Sequence, residues 1–341
     1  MNSFDKERLT AAVEKFKGCR VAVVGDLMLD VYIWGNATRI SPEAPVPIIR
    51  VSRENSCLGG AANVMRNVIT LGGSVHAYGV VGDDLNGKEL SSQLADHGIN
   101  SAGLICDPLR RTTEKQRVIA GTQQLLRIDY EDTSIVCDEH RTIMLNALVD
   151  LIEQKAVDAI VFEDYGKGVL NESFLEAIIP LARAAGIVTT LDPKPGHIRP
   201  VKGLTAMKPN RNEAFAMAGV VQHEHDLAPE DDAELYQVAK ILMRDWEPDY
   251  LIISLAARGM ALFNSDVKMT VIPTRAREVF DVSGAGDTVI AASTLALATG
   301  ADIASAAQIA NFAAGIVVGK IGTVTVSKDE LIKSFSQDCE E

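Results

Sequence analysis

The amino-acid sequence predicts an α/β fold, in which a central, mostly parallel sheet carries helices on both faces and a small β-sheet lid stands beside it. Short β-rich apolar runs alternate with stretches of helical periodicity along most of the chain, as in βα units whose crossover helices cover a parallel sheet. Two stretches break that alternation. Both read as paired extended strands with no helix between them.

In chain order, a charged, helix-like start (MNSFDKERLTAAVEKFKG) leads into the strand RVAVVGD. The first interruption follows: ISPEAPVPIIRVSRE holds three prolines within an extended pattern, which suits a sheet edge. Next come a helix (GAANVMRNVITLG), a strand (VHAYGVVG) and a helix from about Leu85 to His97. RTTEKQRVIAGTQQLLRIDYED is the second interruption, so the lid is expected from residues of about 31–55 and 110–130. VDAIVFED, a helix, GIVTTLDPK, LTAMKPN, a helix, YLIISLAARG and two closing helices complete the pattern. With no internal repeat, low-complexity tract or linker, residues 1–341 read as one domain with a lid.

The 341 residues, 47% of them hydrophobic, can bury a large core. A formal net charge of −13 argues against a nucleic-acid partner, because phosphate backbones are held by Lys and Arg surfaces. Any phosphate ligand must meet a local basic pocket. Five cysteines, at 19, 57, 106, 137 and 339, share no CxxC spacing, which implies a reduced, cytoplasmic protein. The start of the chain lacks the apolar core of a secretion signal. The longest apolar region, Val289 to Gly319, is broken by Asp302, Ser305, Gln308 and Asn311, which fits buried helices better than a membrane span.

Chemistry concentrates in DVSGAGD, residues 281–287. Gly284, Ala285 and Gly286 are expected just before a helix starting near Asp287, their amides converging on the helix's positive end as an anion cradle. Asp287 would then either accept a proton from a hydroxyl attacking a phosphorus held there, or simply cap the helix. GDDLNGKE, residues 82–89, has P-loop spacing, but Glu89 stands where Ser or Thr would hold a metal and Asp83 and Asp84 would repel phosphate; it reads as a loop entering a helix. His223 and His225 lie in an acidic segment, HEHDLAPEDDAE, expected to be a solvated loop and helix start. With no third His or Cys nearby, they read as an exposed pair.

DVSGAGD, together with LGGAANVMRN (residues 58–67) and the N-x-x-E element Asn210–Glu213 in KPNRNEA, resembles the signatures of the ribokinase-like carbohydrate kinases, the pfkB family. Further stretches, GDLMLDVYIWGNATRISPEAPVPIIRV, FEDYGKGVL, LDPK and NFAAGIVVGKIGT, are similar to members that phosphorylate D-glycero-D-manno-heptose 7-phosphate at C1. This activity occurs alone or fused to a nucleotidyltransferase in ADP-heptose synthesis for lipopolysaccharide. Nothing after Val326 offers room for that second domain, so a kinase alone is expected, a separate nucleotidyltransferase acting later.

The resemblance implies a ribokinase-like fold, ATP as donor and Mg2+ as cofactor. Asp287 would be the general base and Gly284 to Gly286 the phosphoryl cradle. Asn210 and Glu213 would organise Mg2+, although N-x-x-E is also close to a capping box. Asp30, Gly59, Gly60 and Asn63 would contact the sugar, with Asp164 beside them, unless Asp30 only ends a strand and the glycines only form a loop. Arg39, Lys115, Arg117, Arg127 and Lys167 are the candidates for the 7-phosphate. Lys194 and Lys208, after apolar strands, suit nucleotide phosphates. Ser254, Gly259, Asn311 and Val318 would border the adenine side. The chain departs from the family where a T-x-G-x-x-G-like loop is usual: it reads Ser254-Leu255-Ala256-Ala257-Arg258-Gly259, which bears on ATP affinity. A kinase of another sugar and a non-catalytic sugar- or nucleotide-binding protein are the rival readings, and a homodimer through the lid is the expected assembly. A dinucleotide oxidoreductase is disfavoured, since the first strand ends in VVGDLMLD without G-x-G-x-x-G.

Overall fold

A computed structural model describes residues 5–121, 123–276 and 278–337. The elements in order are α1 (Lys6–Glu14), β1 (Arg20–Gly25), β2 (Leu27–Ile40), β3 (Pro47–Gly60), α2 (Ala61–Thr70), β4 (Ser74–Gly82), α3 (Leu85–Asp96), β5 (Asn100–Asp107), β6 (Thr113–Ala120), β7 (Gln123–Tyr130) and α4 (Asp138–Glu153). Then come β8 (Ala159–Glu163), α5 (Glu172–Ala184), β9 (Val188–Asp192), β10 (Ala206–Met207), α6 (Arg211–Ala218), α7 (Ala233–Trp246), β11 (Tyr250–Ser254), β12 (Met260–Asn264), β13 (Met269–Ile272), α8 (Ala285–Ala298), α9 (Ile303–Val318) and α10 (Lys328–Gln337).

Nine strands form the main sheet, in the order β13-β12-β11-β10-β9-β8-β1-β4-β5, and β12 alone runs against the others, pairing antiparallel with both β11 and β13. Alternation along β1 shows why both faces are covered: Val21 and Val23 pack into one core with α1, α2, α8, α9 and α10, while Ala22 and Val24 face another built from α4, α5, α6 and α7. Each face must bury its apolar row. Two layers of helices do so.

The second sheet, β3-β2-β6-β7, is the lid. Its first stretch begins earlier and ends later than the sequence suggests, since β2 starts at Leu27 and β3 runs into Gly60 without a loop, while β6 and β7 fall within the expected 110–130. Gly60 is itself the N-cap of α2 at φ +55°, a conformation that favours glycine. A Cβ on Gly59 would lie 2.7 Å from Asp30 Oδ2. The glycine pair therefore serves lid packing first. Three helices rather than two close the chain; α10 is polar in sequence yet buries Leu331 and Phe335 completely.

GDDLNGKE enters α3 through an Asp84 side chain that accepts from the Gly87 amide, so it is a helix cap rather than a phosphate loop. The cysteines at 19, 57, 106 and 137 are free thiols, and Cys339 lies outside the described residues. Among the described residues no helix is long and apolar enough to cross a membrane.

Candidate active site

From β1 the chain proceeds to β4 and β5 on one side, and from β8 to β9, β10 and β11 on the other. The strand order thus reverses between β1 and β8, and in open α/β sheets ligands bind outside the strand ends at such a switch point. Asp26, directly after β1, accepts hydrogen bonds from the amides of Tyr165 (2.8 Å), Lys167 (2.9 Å) and Val169 (3.3 Å). It pins the DYGKG loop after β8. Burial nevertheless pushes its carboxyl above the usual range.

Asp287 sits over this point in the first turn of α8, which starts at Ala285 with Gly284 as N-cap, two residues earlier than expected. It does not cap the helix. Its Oδ1 accepts from the Tyr165 hydroxyl at 2.6 Å and its Oδ2 from Asn63 Nδ2 at 2.7 Å. Gly284 holds φ +77°, and a Cβ there would meet Asn63 Nδ2 at 2.7 Å, so glycine is needed both for the turn and for the Asn63 contact. Asn63 is held in turn by α2, where Asn67 Nδ2 donates to its carbonyl and Asn67 Oδ1 accepts from Thr288. Burial raises the Asp287 pKa, while the Tyr165 and Asn63 donors and the Lys208 charge oppose that rise.

The amide cradle is narrower than the sequence implies. Ala285 N–H donates to the Val282 carbonyl at 3.2 Å, which leaves Gly286 and Asp287 as the open first-turn amides. Lys208 stands beside them, since a Cβ on Gly286 would lie 3.3 Å from its ammonium. Lys208 pairs with Asp192 Oδ2 at 2.7 Å, and despite burial that partner keeps its pKa raised, so it remains a cation. Asp192 is pushed up to about 7 by burial and by the charge of Glu213, against the pull of Lys208. Below them lies Glu163, wholly buried, neither carboxyl oxygen hydrogen-bonded, its pKa driven well up by burial and then by Asp192 and Asp287.

Asn210 and Glu213 form a capping box at α6: Asn210 Oδ1 accepts from the Glu213 amide and Glu213 Oε2 from the Asn210 amide, each at 2.9 Å. The cap is therefore real, and it leaves the other Glu213 oxygen for a ligand. Both residues line a cleft of about 940 Å3, together with Lys194, Lys208, Ser254, Gly259, Asn311, Val318, Gly284, Ala285, Gly286 and Asp287. Asp164 borders the same cleft, but its oxygens accept from the Gly166 and Lys194 amides, so it shapes the loop instead of offering a free sugar contact. Burial lifts its pKa to about 6. Asn311 donates to the Pro273 carbonyl at 2.6 Å.

The altered loop leaves a mark in the backbone. Ala256, where the family pattern has glycine, holds φ +51° at the start of a short 3-10 turn.

On the lid, register places Asp30 opposite Lys115 and Lys115 opposite Asp129, with Tyr32, Arg117 and Arg127 forming the next row. Period-two alternation puts both rows on one face. All four candidate cations there or beside it are engaged with acids. Arg117 pairs with Asp30, Arg127 with Asp129 at 2.8 Å, Lys115 with Asp129 at 3.1 Å and Glu131 at 3.4 Å, and Lys167 with Glu131 at 2.7 Å. Asp30 also accepts from Thr323, whose hydroxyl lies 2.7 Å from the Tyr32 hydroxyl, tying the lid to the α9–α10 connection. Arg39 is not brought to this group. It is exposed, nine residues beyond Asp30 on β2, roughly 30 Å away at 3.3 Å per residue.

Tyr165, Asp26, Glu163, Asp192 and Thr323 are the site residues that the sequence did not single out. All five lie within segments quoted above, Asp26 in GDLMLDVYIWGNATRISPEAPVPIIRV, Glu163 and Tyr165 in FEDYGKGVL, Asp192 in LDPK and Thr323 in NFAAGIVVGKIGT, but no spacing rule distinguishes them.

Known proteins resemble the chain along most of its length. The chain is 42% identical over 326 residues to "Bifunctional protein HldE" of Desulfatibacillum aliphaticivorans, covering 96% of this chain and 65% of that protein. It is 43% identical over 313 residues to the protein of the same name from Geobacter metallireducens, with coverages of 92% and 62%. The chain thus spans about 65% of the length of the first of these relatives. Among solved structures, phosphofructokinase-2 from Escherichia coli in complex with substrates and products superposes with a TM-score of 0.73 at 18% identity, covering 94% of this chain and 99% of that one. A ribokinase from Arabidopsis thaliana complexed with ribose and ATP gives 0.67 at 18%, covering 93% and 99%. These establish a ribokinase-like fold. The model of the "pfkB family carbohydrate kinase" matches residues 19–330, so the chain belongs to the pfkB family of carbohydrate kinases and is a phosphotransferase with a sugar hydroxyl as acceptor.

Proposed function

We propose that the chain transfers the γ-phosphoryl group of ATP to the C1 hydroxyl of D-glycero-D-manno-heptose 7-phosphate, giving the 1,7-bisphosphate that a nucleotidyltransferase then uses towards ADP-heptose. The observation that carries this reading is Asp287, buried in the first turn of α8 between two donors and adjoining both the cleft and the lid. The heptose rests on the likeness of the lid-forming sequence to heptose 7-phosphate kinases and on the HldE relatives.

Asp287 takes the proton of the attacking hydroxyl. An anomeric hydroxyl is more acidic than an ordinary alcohol, which suits a carboxylate as acceptor; such general-base help contributes about 10²–10⁴-fold. The open amides of Gly286 and Asp287 and the Lys208 ammonium face the transferring group and offset its charge. ATP fits the cleft, whose roughly 940 Å3 suits a nucleotide, with Lys194 and Lys208 towards its phosphates and Ser254 to Gly259, Asn311 and Val318 towards the base.

The site suits Mg2+. Glu213 and Asp192 each keep one oxygen outside the contacts described, and among the described residues Lys208 is the cation paired with these carboxylates, so hard oxygen donors outnumber positive charge. Asn210 and Glu213, with Asp192, would hold the ion largely through water, and it would neutralise phosphate charge. Asp30 and Asn63 contact the sugar hydroxyls, while Lys115, Lys167, Arg117 and Arg127 serve the 7-phosphate in place of their present acidic partners. Two copies pair through the lid, whose edge exposes Ile40, Val46 and Val51.

The test is phosphorylation of heptose 7-phosphate by ATP and Mg2+, beside hexose phosphates and free sugars, with Asp287→Asn as control. A 1,7-bisphosphate absent with the variant supports the reading. Selective turnover of a hexose phosphate would move the substrate and keep the base; turnover unchanged in the variant would remove Asp287 from the chemistry.

A further inference from the structure

We propose that the loop before α7 and the first turn of that helix form a binding site for a transition-metal dication, best matched by Zn2+, apart from the phosphoryl-transfer cleft. The residues are His225, Asp232 and Glu234, whose ligand atoms all lie within 4.8 Å of one another. His223 completes the group. The sequence spacing H-x-H, then D-x-E, brings two pairs from adjoining segments to one corner.

The expectation of an exposed histidine pair holds for His223, whose side chain is 68% exposed, and fails for His225, at 19%. Both ring nitrogens of His225 are shut off from solvent, and neither has a hydrogen-bond partner. Leaving buried polar atoms unsatisfied is costly, and a bound cation satisfies one of them directly. Nε2 lies 3.5 Å from Asp232 Oδ1. That is too long for a hydrogen bond but close to the edge of a tetrahedron about a cation with bonds of about 2.1 Å.

Glu234 is already oriented for ligation. His223 Nδ1 lies 2.7 Å from its Oε1, and the His223 amide donates to its Oε2 at 3.3 Å. Carboxylates that ligate a metal are themselves hydrogen-bonded by outer groups, as Glu234 is by His223. Asp232 is fixed on its other oxygen by Arg211 at 2.6 Å and on Oδ1 by the Leu235 amide at 2.9 Å. One imidazole nitrogen and two carboxylates, with solvent in the fourth position, select a borderline ion over Ca2+ or Mg2+. Two carboxylates against one guanidinium leave the corner with a net negative charge.

The corner also touches the nucleotide side. Arg211 follows Asn210 and lines the cleft, and Arg258, in the altered Ser254–Gly259 loop, donates to the Leu227 carbonyl at 3.1 Å. An ion holding the 223–234 segment therefore braces the wall behind that loop.

The experiment is titration of the full chain with Co2+, as a coloured substitute for Zn2+, under saturating Mg2+ so that the cleft carboxylates are occupied. One equivalent with the intense visible bands of four-coordinate cobalt is expected in the wild type and in Glu213→Gln, with at least a tenfold loss of affinity in both His225→Ala and Glu234→Gln. Zn2+ should raise the thermal midpoint of the wild type and leave that of Glu234→Gln unmoved. No bands in the wild type, bands that persist in Glu234→Gln, or bands lost in Glu213→Gln overturn the proposal. The glutamate variant sits at the surface, so the test survives if His225→Ala does not fold. None of these readouts depends on the kinase substrate.

Discussion

The Tyr165 hydroxyl donates to Asp287 Oδ1 at 2.6 Å, across 122 residues of chain, and is itself held as a protonated donor because burial and the Asp287 charge push its pKa well up. The carboxylate proposed as the base is thus poised by opposed effects. Burial favours its neutral form, and two hydrogen bonds to the carboxylate favour the charged one.

Removing the Tyr165 donor tests this balance. Hydrogen bonds to charged groups are worth about 1.5–3 kcal/mol, and about 1.4 kcal/mol is one pKa unit. Tyr165→Phe should therefore raise the Asp287 pKa further. A base works only when ionised, so the acid limb of the kcat profile moves to higher pH and the rate recovers in alkali. An equal loss of kcat at every pH would show that Tyr165 only shapes the site.

Glu163 gives a stability prediction whose sign follows from its environment. Its folded pKa is raised well above the unfolded value, about 4.3. Below that value both states hold the proton and there is no difference. Above it the folded state must keep a proton that the unfolded state releases, which costs roughly 1.4 kcal/mol per pH unit up to the folded pKa. Glu163→Gln should raise the thermal midpoint at pH 8 and leave it nearly unchanged at pH 4. A loss of the same size at both would mean that the carboxyl has partners which Gln cannot replace.

Sequence alone located Asp287, the glycine turn and the lid, because each is a local signal: a helix opening beside glycines, or prolines within extended pattern. Alternation along the apolar strands likewise fixed the two helical layers. Tyr165, Asp26 and Glu163 were not legible, since their roles come from contacts made when distant strand ends meet at the switch point. The same holds for His225, whose burial depends on how the segment after α6 folds back on α7. Asn210 and Glu213 stayed ambiguous for a different reason. One spacing, N-x-x-E, serves a capping box and a cation ligand alike, and the structure shows the cap in place with an oxygen to spare.

Ala256 holds a left-handed conformation that costs an L-residue about 1–2 kcal/mol. Glycine removes that strain but gains about 0.4–1 kcal/mol of unfolded-state freedom, so Ala256→Gly should stabilise by up to about 1 kcal/mol. It should also lower the KM for ATP, if the loop borders the nucleotide as proposed. Denaturant unfolding and ATP titration check both; destabilisation would show that Ala256 does not need the left-handed region.

Lys115 and Lys167 both reach Glu131, at 3.4 and 2.7 Å, with Asp129 also on Lys115. The Glu131 carboxylate occupies the position that a phosphate between two ammonium groups would take, and Lys167 and Lys115 hold its pKa low. On the proposed reading the sugar's 7-phosphate displaces it, since a dianion competes well for two cations where a single carboxylate now sits. Lys115→Met should then raise the KM for the 7-phosphorylated sugar by about 10- to 100-fold, the equivalent of one charge-assisted hydrogen bond. The KM for ATP should hold, because the lid face lies outside the nucleotide cleft. Glu131→Gln should act in the opposite sense, lowering the sugar phosphate KM by removing the competitor. If both variants raise KM alike, the cluster supports the lid rather than the phosphate, and the 7-phosphate must be sought at Arg117 and Arg127 in the neighbouring row.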